Sequence, residues 1–316
     1  MRLLLSRPLP AAVEDRARAE FDTEIRALNT PMSADEMRRA LAEFDAVMPT
    51  LGDAFSAEVF GHVPRPRCRL LANFGVGYDH IDVDAARSAG IAVTNTPGAV
   101  TDATADIAMM LMLMSARRAG EGERLVRAGG WAGWHPTQML GMHLTDRTVG
   151  IVGMGRIGQA VARRCHFGFA MEVRYVSRSA KTLDFPANRE GSLTALAAAV
   201  DVLVIAVPGG PETRHLIDAG VLAAMQPGAH LVNVARGDVV DEAALIAALE
   251  AGRIAGAGLD VYEHEPEVPA ALRALENVTL LPHLGTAALD VREGMGMMVL
   301  DNVAALAAGQ PLPNPV

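Results

Sequence analysis

The sequence predicts an α/β protein made of two doubly wound parallel-sheet domains with a cleft between them. Three observations carry that reading. Short apolar runs alternate with helix-patterned segments along the whole chain, the pattern of βαβ units around parallel sheets. A glycine turn stands in mid-chain, at Gly153, so the domain it opens does not begin at residue 1. And 316 residues suit about two domains.

The elements follow in order. Leu3–Leu5, Ala46–Met48, Leu70–Asn73 and Ile91–Val93 are short apolar runs that read as the strands of a first unit, with helices over Pro10–Ala19 and Ala34–Ala42. "NTPGAVTD", Asn95 to Asp102, is a Pro/Gly turn before a long apolar helix, Ala103–Ala116, and marks a crossover into a second unit. There the strands are Val149–Val152, Val173–Val176, Val202–Ala206, Leu231–Val234, Ala257–Asp260 and Val278–Leu281. Helices fill the gaps at Ile157–Cys165, Leu193–Ala199, Asp218–Met225 and Asp241–Glu250. The last helix, Ala287–Ala307, follows "PHLGTAA" and can return to the first unit. The expected division is therefore 1–97 plus 286–316 for a discontinuous outer domain, and 98–285 for the inserted one.

Composition narrows the function. Formal charge is −9 and no basic cluster interrupts it, which argues against a nucleic-acid or anionic-membrane surface. The two cysteines, Cys68 and Cys165, have neither metal-site nor disulfide-framework spacing and read as core thiols of a cytoplasmic protein. No signal-peptide core follows "MRLLLSRP". The longest apolar run, Ile107–Met114, falls far short of the roughly 18 residues of a spanning helix. Its methionines suit flexible core or interface packing.

Gly153-Met154-Gly155-Arg156-Ile157-Gly158 fits G-x-G-x-x-G after a strand and at the head of an apolar-periodic helix. The first glycine permits the tight turn, the second lets backbone approach a pyrophosphate, and the third packs helix on strand. The phosphates meet free N–H groups at the helix N-terminus. Both domains are thus expected to be Rossmann-like, and this one to bind a dinucleotide.

In an NAD site an acid usually ends the second strand and holds the adenosine ribose. Here that strand runs into Ser177-Arg178-Ser179, with Lys181 just beyond. Serine can donate to a 2′-phosphate, and arginine offers a fork of donors with a fixed charge. The expectation is NADP(H), with NAD(H) possible; the alternative is a solvated basic loop. Three further residues stand where strands end: Arg236, Glu265 and His283. Ligands of open α/β sheets bind at those ends, so the three can converge. Singly, each reads as readily as a surface charge or a structural histidine.

Nearly the whole chain resembles the D-2-hydroxyacid dehydrogenase family. The resemblance lies in "NFGVGYDHID" (Asn73–Asp82), "NTPG" (Asn95–Gly98), "VGIVGMGRIGQAVA" (Val149–Ala162), "LVNVARGDVVDEAAL" (Leu231–Leu245), "GAGLDVYEHEP" (Gly256–Pro266) and "PHLGTA" (Pro282–Ala287). The Arg–Glu and Glu–His intervals of 29 and 18 residues are similar too. The "W-x-x-W-x-P" stretch at Trp131–Pro136 and "SRS" resemble the glyoxylate/hydroxypyruvate reductase branch.

The resemblance implies roles. Arg236 binds the carboxylate and carbonyl of a 2-oxo acid. His283 donates a proton to the carbonyl oxygen, and Glu265 orients His283 through its other ring nitrogen. Val76 and Gly77 grip the carboxylate through backbone N–H groups, with Leu51 and Trp134 also near substrate. Cofactor contacts are implied at Gly153, Gly155, Arg156, Ile157 and Gly158 for the phosphates, and at Ser177, Arg178 and Ser179 for the ribose end. Val207, Pro208 and Thr213 fall on the adenine side. Ala235, Asp260, Thr104 and Gly285 complete the set, Ala235 and Asp260 on the nicotinamide amide.

The sequence departs from the family's pattern in places. Ser177-Arg178 replaces the acid; Asp106 stands where Glu is commoner, and Leu281 where Thr is. Glu265 is retained where the formate dehydrogenase branch has Gln. No regulatory domain follows His283, unlike the long phosphoglycerate dehydrogenases. The expected activity is therefore NADPH-linked reduction of small 2-oxo acids, chiefly glyoxylate and hydroxypyruvate. Two alternatives remain: an NAD-linked phosphoglycerate, D-lactate or phosphite dehydrogenase, and a dinucleotide-sensing corepressor without turnover. A homodimer is expected. The helix Ala103–Ala116 would form its interface, and the Trp131–Pro136 segment an arm exchanged between subunits, with Trp134 capping the partner's site. Core packing is the plain alternative for both tryptophans.

Overall fold

A computed structural model describes residues 1–316. The chain divides into two compact units, residues 1–100 with 286–316 and residues 101–285.

The first unit begins β1 (Arg2–Leu5), α1 (Ala11–Glu20), β2 (Asp22–Ile25), α2 (Ala34–Glu43) and β3 (Ala46–Met48). It continues α3 (Ala57–Gly61), β4 (Leu70–Ala72), α4 (Val83–Ser88) and β5 (Ala92–Thr94). The strands form one parallel sheet in the order β2-β1-β3-β4-β5. Strand side chains alternate between faces. Leu3, Leu5, Ala46 and Met48 therefore pack on one side with Val13 and Ala17 of α1. Leu4, Val47 and Leu71 pack on the other, with Met37 and Leu41 of α2. Because both faces are covered, the central strands read as unbroken apolar runs. α2 starts on a capping box: Ser33 Oγ accepts from the Glu36 N–H, and the Glu36 carboxylate accepts from the Ser33 N–H.

The second unit runs α5 (Thr101–Ala116), α6 (Ala119–Arg127), β6 (Thr148–Val152), α7 (Arg156–Phe169), β7 (Glu172–Val176), β8 (Asn188–Arg189) and α8 (Leu193–Ala198). Then come β9 (Val202–Ile205), α9 (Ala219–Ala224), β10 (His230–Asn233), α10 (Glu242–Glu250), β11 (Gly256–Leu259), α11 (Ala270–Ala274) and β12 (Val278–Leu280). Its seven strands are parallel, in the order β12-β11-β10-β9-β6-β7-β8. The order reverses between β6 and β9, the switch point at which such sheets bind ligands. α5 and α7 cover one face through Ala108, Leu111, Val161 and Cys165. α8, α9 and α10 cover the other through Leu196, Leu222 and Leu245. The remaining helix, α12 (Leu289–Ala307), belongs to the first unit, where it packs on α1 and β4. Gly296 lets it close on α1, because a Cβ there would collide with Val13.

Both sheets are parallel and doubly wound, as the sequence indicates. The strands β2 and β8 and the helices α3, α4, α6 and α11 are additions to the expected elements. α7 runs to Phe169 rather than stopping at Cys165.

Candidate active site

The glycine turn lies between β6 and α7. Gly153 has φ +96°, and a Cβ there would sit 2.7 Å from the Ala206 carbonyl oxygen. A Cβ at Gly158 would collide with the Gly153 carbonyl oxygen. Gly155 meets nothing within 4 Å, so the space over the turn is open. No side chain caps α7 and its first turn holds no acid, so its leading N–H groups remain for an anion. These features fit a dinucleotide pyrophosphate, with Arg156 and Ile157 opening the helix.

At the end of β7 the Ser177 hydroxyl donates to the Ser179 carbonyl at 2.6 Å. Lys181 Nζ lies 3.0 Å from Ser179 Oγ. Arg189, on β8, donates to the Ser177 carbonyl at 2.9 Å and to the Arg178 carbonyl at 3.3 Å. Ser177 thus shapes the turn, while the Arg178 side chain is exposed. After β9, the Thr213 hydroxyl closes the Val207–Thr213 loop by donating to the Pro208 carbonyl at 2.8 Å.

Glu265 and His283 are brought together. His283 Nδ1 is 2.8 Å from Glu265 Oε2, and Glu265 Oε1 accepts from the Tyr262 N–H at 3.1 Å. A carboxylate on Nδ1 fixes that nitrogen as the N–H donor and leaves Nε2 for proton exchange. His283 itself has φ +54°, rare for a residue with a side chain. The backbone is held there by Asp260: the His283 N–H donates to the Asp260 carbonyl at 2.9 Å. The Asp260 carboxylate takes the Leu284 N–H at 2.6 Å and the Gly285 N–H at 2.8 Å. Burial pushes the Asp260 carboxyl above the usual carboxylate range, against these two N–H groups and nearby His283. Thr104 joins this loop, its hydroxyl donating to the Gly285 carbonyl at 3.2 Å. On the neighbouring loop, Arg236 Nη1 donates to the Ala235 carbonyl at 2.9 Å.

Several residues that the sequence reading passed over hold these groups. Asn233 ends β10; its side chain accepts from the Ala235 N–H at 3.0 Å and donates to the Arg236 carbonyl at 2.8 Å. The Tyr262 hydroxyl donates to the Leu281 carbonyl at 2.8 Å. Glu263 accepts from Arg214 at 2.8 Å and lies 2.9 Å from His215 Nε2, tying the loop after β9 to the loop after β11. "YEHEP" and "TRH" carried the charges, but nothing in their spacing paired them.

In the first unit, Asn73 and Asn95 turn the carbonyls of the 75–77 loop inward. Asn73 Nδ2 donates to Gly75 and Gly77, at 3.0 and 2.9 Å, and Asn95 Nδ2 donates to Val76 at 2.8 Å. Neither the Val76 nor the Gly77 N–H is used in the hydrogen bonds of the fold. Leu51 is exposed on the loop after β3, and Trp134 is 79% exposed, which removes core packing as the reason for it. Asp106 pairs with Arg164 at 2.9 Å.

A family model described as the NAD binding domain of D-isomer specific 2-hydroxyacid dehydrogenase matches residues 109–285. The chain belongs to the D-2-hydroxyacid dehydrogenase family. Its relatives put it in the glyoxylate reductase branch of that family. It is 41% identical to a glyoxylate reductase from Thermococcus onnurineus over 99% of this chain and 94% of the relative. It is 39% identical to a glycerate dehydrogenase from Hyphomicrobium methylovorum over 98% and 96%. Among solved structures it is similar to the NADPH-dependent glyoxylate/hydroxypyruvate reductase of Sinorhizobium meliloti in complex with NADP and malonate. The TM-score there is 0.88, at 37% identity, covering 100% of this chain and 96% of that one. No helix of this family member is long and apolar enough to cross a membrane.

Proposed function

We propose that the protein reduces small 2-oxo acids, chiefly glyoxylate and hydroxypyruvate, to 2-hydroxy acids with NADPH. The observation that carries this is the Glu265–His283 pair, 2.8 Å apart, on the same sheet edge as the glycine turn and the Arg236 loop. A dinucleotide sensor has no use for an oriented proton donor. Residues 101–285 are the cofactor domain, three residues later in its start than the sequence division at 98; 1–100 and 286–316 are the substrate domain.

Bound nicotinamide supplies the hydride. The chain's own groups do the rest. Arg236 and the Val76 and Gly77 N–H groups hold the substrate carboxylate, a planar anion suited to a guanidinium fork. His283 gives the proton of Nε2 to the carbonyl oxygen, and Glu265 holds Nδ1–H so that this nitrogen faces the acceptor. The first turn of α7 takes the pyrophosphate. Arg178, with Ser179 and Lys181, meets the 2′-phosphate, on the turn that the Ser177 hydroxyl shapes. Val207, Pro208 and Thr213 line the adenine side; Ala235, Asp260, Thr104 and Gly285 lie on the nicotinamide side. Leu51 and Trp134 border the substrate. The protein acts as a homodimer, and its buried free thiols, Cys68 and Cys165, support a cytoplasmic location.

The test is the initial rate of NADPH and of NADH oxidation with glyoxylate, hydroxypyruvate and pyruvate. Strong preference for NADPH with either of the first two acids is expected. Preference for NADH would make the Ser177–Lys181 segment a solvated loop and reopen the other dehydrogenase branches. No turnover with any acid would remove the reductase reading.

A further inference from the structure

At the carboxyl edge of the first unit's sheet, β1, β3 and β4 lie side by side. They run into Ser6-Arg7, the Pro49–Asp53 loop and the Asn73–Tyr78 loop. A polar knot joins the first two. Asp53 is fully buried. Its Oδ2 accepts from the Thr50 N–H at 2.8 Å and from the Thr50 hydroxyl at 3.2 Å; its Oδ1 accepts from the Met32 N–H at 2.8 Å. Arg7 Nη2 stands 3.8 Å from Asp53 Oδ1 and donates to the Leu51 carbonyl at 2.7 Å. Ser6 Oγ and Thr50 Oγ1 are 3.3 Å apart.

A buried carboxylate is costly unless it is paired and hydrogen-bonded, and even then an apolar replacement often does as well for stability. What this knot supplies is geometry. Every partner of Asp53 and Arg7 lies in the Pro49–Asp53 loop or clamps it from outside. Gly52 takes φ +93° so that the loop can turn back. A second tie, from the Phe74 N–H to the Pro49 carbonyl at 2.9 Å, fixes this loop to the one that carries Val76 and Gly77. Pro49, Thr50 and Asp53 are buried, but Leu51 presents an apolar side chain that is 37% exposed. An apolar residue held outward on a rigid loop, beside N–H groups unused by the fold, is a wall for the apolar end of a small carboxylate ligand.

We propose that Arg7 and Asp53 are positioning residues. They hold Leu51 against the substituent on the carbonyl carbon of the 2-oxo acid and so set which substituents are accepted. The inference rests on the function proposed above. It has an internal control, because the substituent of glyoxylate is a hydrogen atom and that of hydroxypyruvate a hydroxymethyl group. Only the second touches the wall.

The experiment compares wild type, Arg7→Met and Arg7→Lys on both acids with NADPH, together with backbone hydrogen exchange over residues 50–53. Arg7→Met keeps an apolar stem and loses the bond to Leu51. It is expected to lower the hydroxypyruvate-to-glyoxylate ratio of kcat/KM by about fivefold or more, with the KM for NADPH within about twofold. Exchange at 50–53 should quicken, and Arg7→Lys should recover part of the ratio. General damage would lower both acids together and leave the ratio unchanged, which overturns the proposal; so does exchange at 50–53 that stays at the wild-type rate. A wild type that reduces neither acid overturns the functional reading, and the exchange rates then decide whether Arg7 holds the loop.

Discussion

His283 is held from two directions, by Glu265 through its ring and by Asp260 through its backbone. This separation allows a sharp test. Replacing His283 with Ala removes the proton donor and leaves the Asp260 bonds to Leu284 and Gly285 in place. Reduction should fall by about 10²–10⁴-fold, the usual worth of a general acid. NADPH affinity, read by quenching of protein fluorescence, should stay within about threefold, less than 1 kcal/mol. Turnover like the wild type would remove His283 as the donor. The ribose end gives a second test. Ser177→Asp with Arg178→Ala should move the kcat/KM preference from NADPH toward NADH, since a carboxylate accepts from ribose hydroxyls and repels a phosphate. An unmoved preference would place the phosphate site elsewhere. Arg236, Glu265 and His283 were legible in the sequence through the family-like motifs that carry them, since singly each reads as a surface charge or a structural histidine. Asn233, Tyr262, Asn73 and Asn95 were not, since they act by bonding to backbone groups of residues near or far in sequence. No spacing rule separates such an amide from one that faces solvent.

At the scale of elements, the turn from β6 to α7 separates what the fold needs from what a ligand needs. Gly158 is a packing residue: its Cβ would collide with the Gly153 carbonyl and crowd Ile151. Gly158→Ala should destabilise the protein by roughly 1–3 kcal/mol, read from its denaturation midpoint, and weaken cofactor binding as well. Gly155 has open space above it, so Gly155→Ala should melt within about 2 °C of wild type. It should nevertheless weaken NADPH binding about tenfold or more, because the new methyl group stands where the pyrophosphate approaches. A fully functional Gly155→Ala would mean that the phosphates lie elsewhere. The same contrast explains which elements the sequence revealed. Strands β1, β3, β6, β9 and β10 are covered on both faces, so burial wrote itself into unbroken apolar runs. β2 is an edge strand, "DTEI", alternating exposed and half-buried, and its two acids disguise it. β8 is two exposed residues at an edge of the second unit's sheet. α6 buries none of its residues and carries two glycines, so its helix propensity is low and no apolar core run marks it.

The whole molecule bears on two measurements. Leu113 at one face of α5 and Val126, Trp131, Trp134 and Leu140 beyond it are all exposed. So many large apolar side chains in one stretch of chain fit a surface covered by a second copy. Light scattering at micromolar concentration should give twice the chain mass of 33.3 kDa, and a monomer would refute the dimer. The second measurement is stability against pH at fixed protein concentration. His230 is buried at the start of β10, its Nδ1 2.8 Å from the Ser115 hydroxyl, and burial pushes its pKa from the usual 6.5 down to about 4. Between those two values the unfolded chain takes up a proton that the folded chain refuses. Stability from this group is therefore whole above pH 6.5 and is lost as pH falls toward 4. The loss is on the order of 3 kcal/mol at most. Asp260 and Glu242, held above the usual carboxylate range by burial, work in the opposite sense. Asp45 and Glu36, both lowered to about 2 by partners that include Arg67 and Arg26, lose their contribution as pH falls from the ordinary carboxylate values of 3.8 and 4.5 toward 2. The informative quantity is thus the difference between wild type and His230→Gln, which keeps a partner for Ser115 and cannot titrate. That difference should favour wild type most above pH 6.5 and shrink steadily toward pH 4. A difference that stayed constant across the window would show that His230 does not resist protonation in the folded protein.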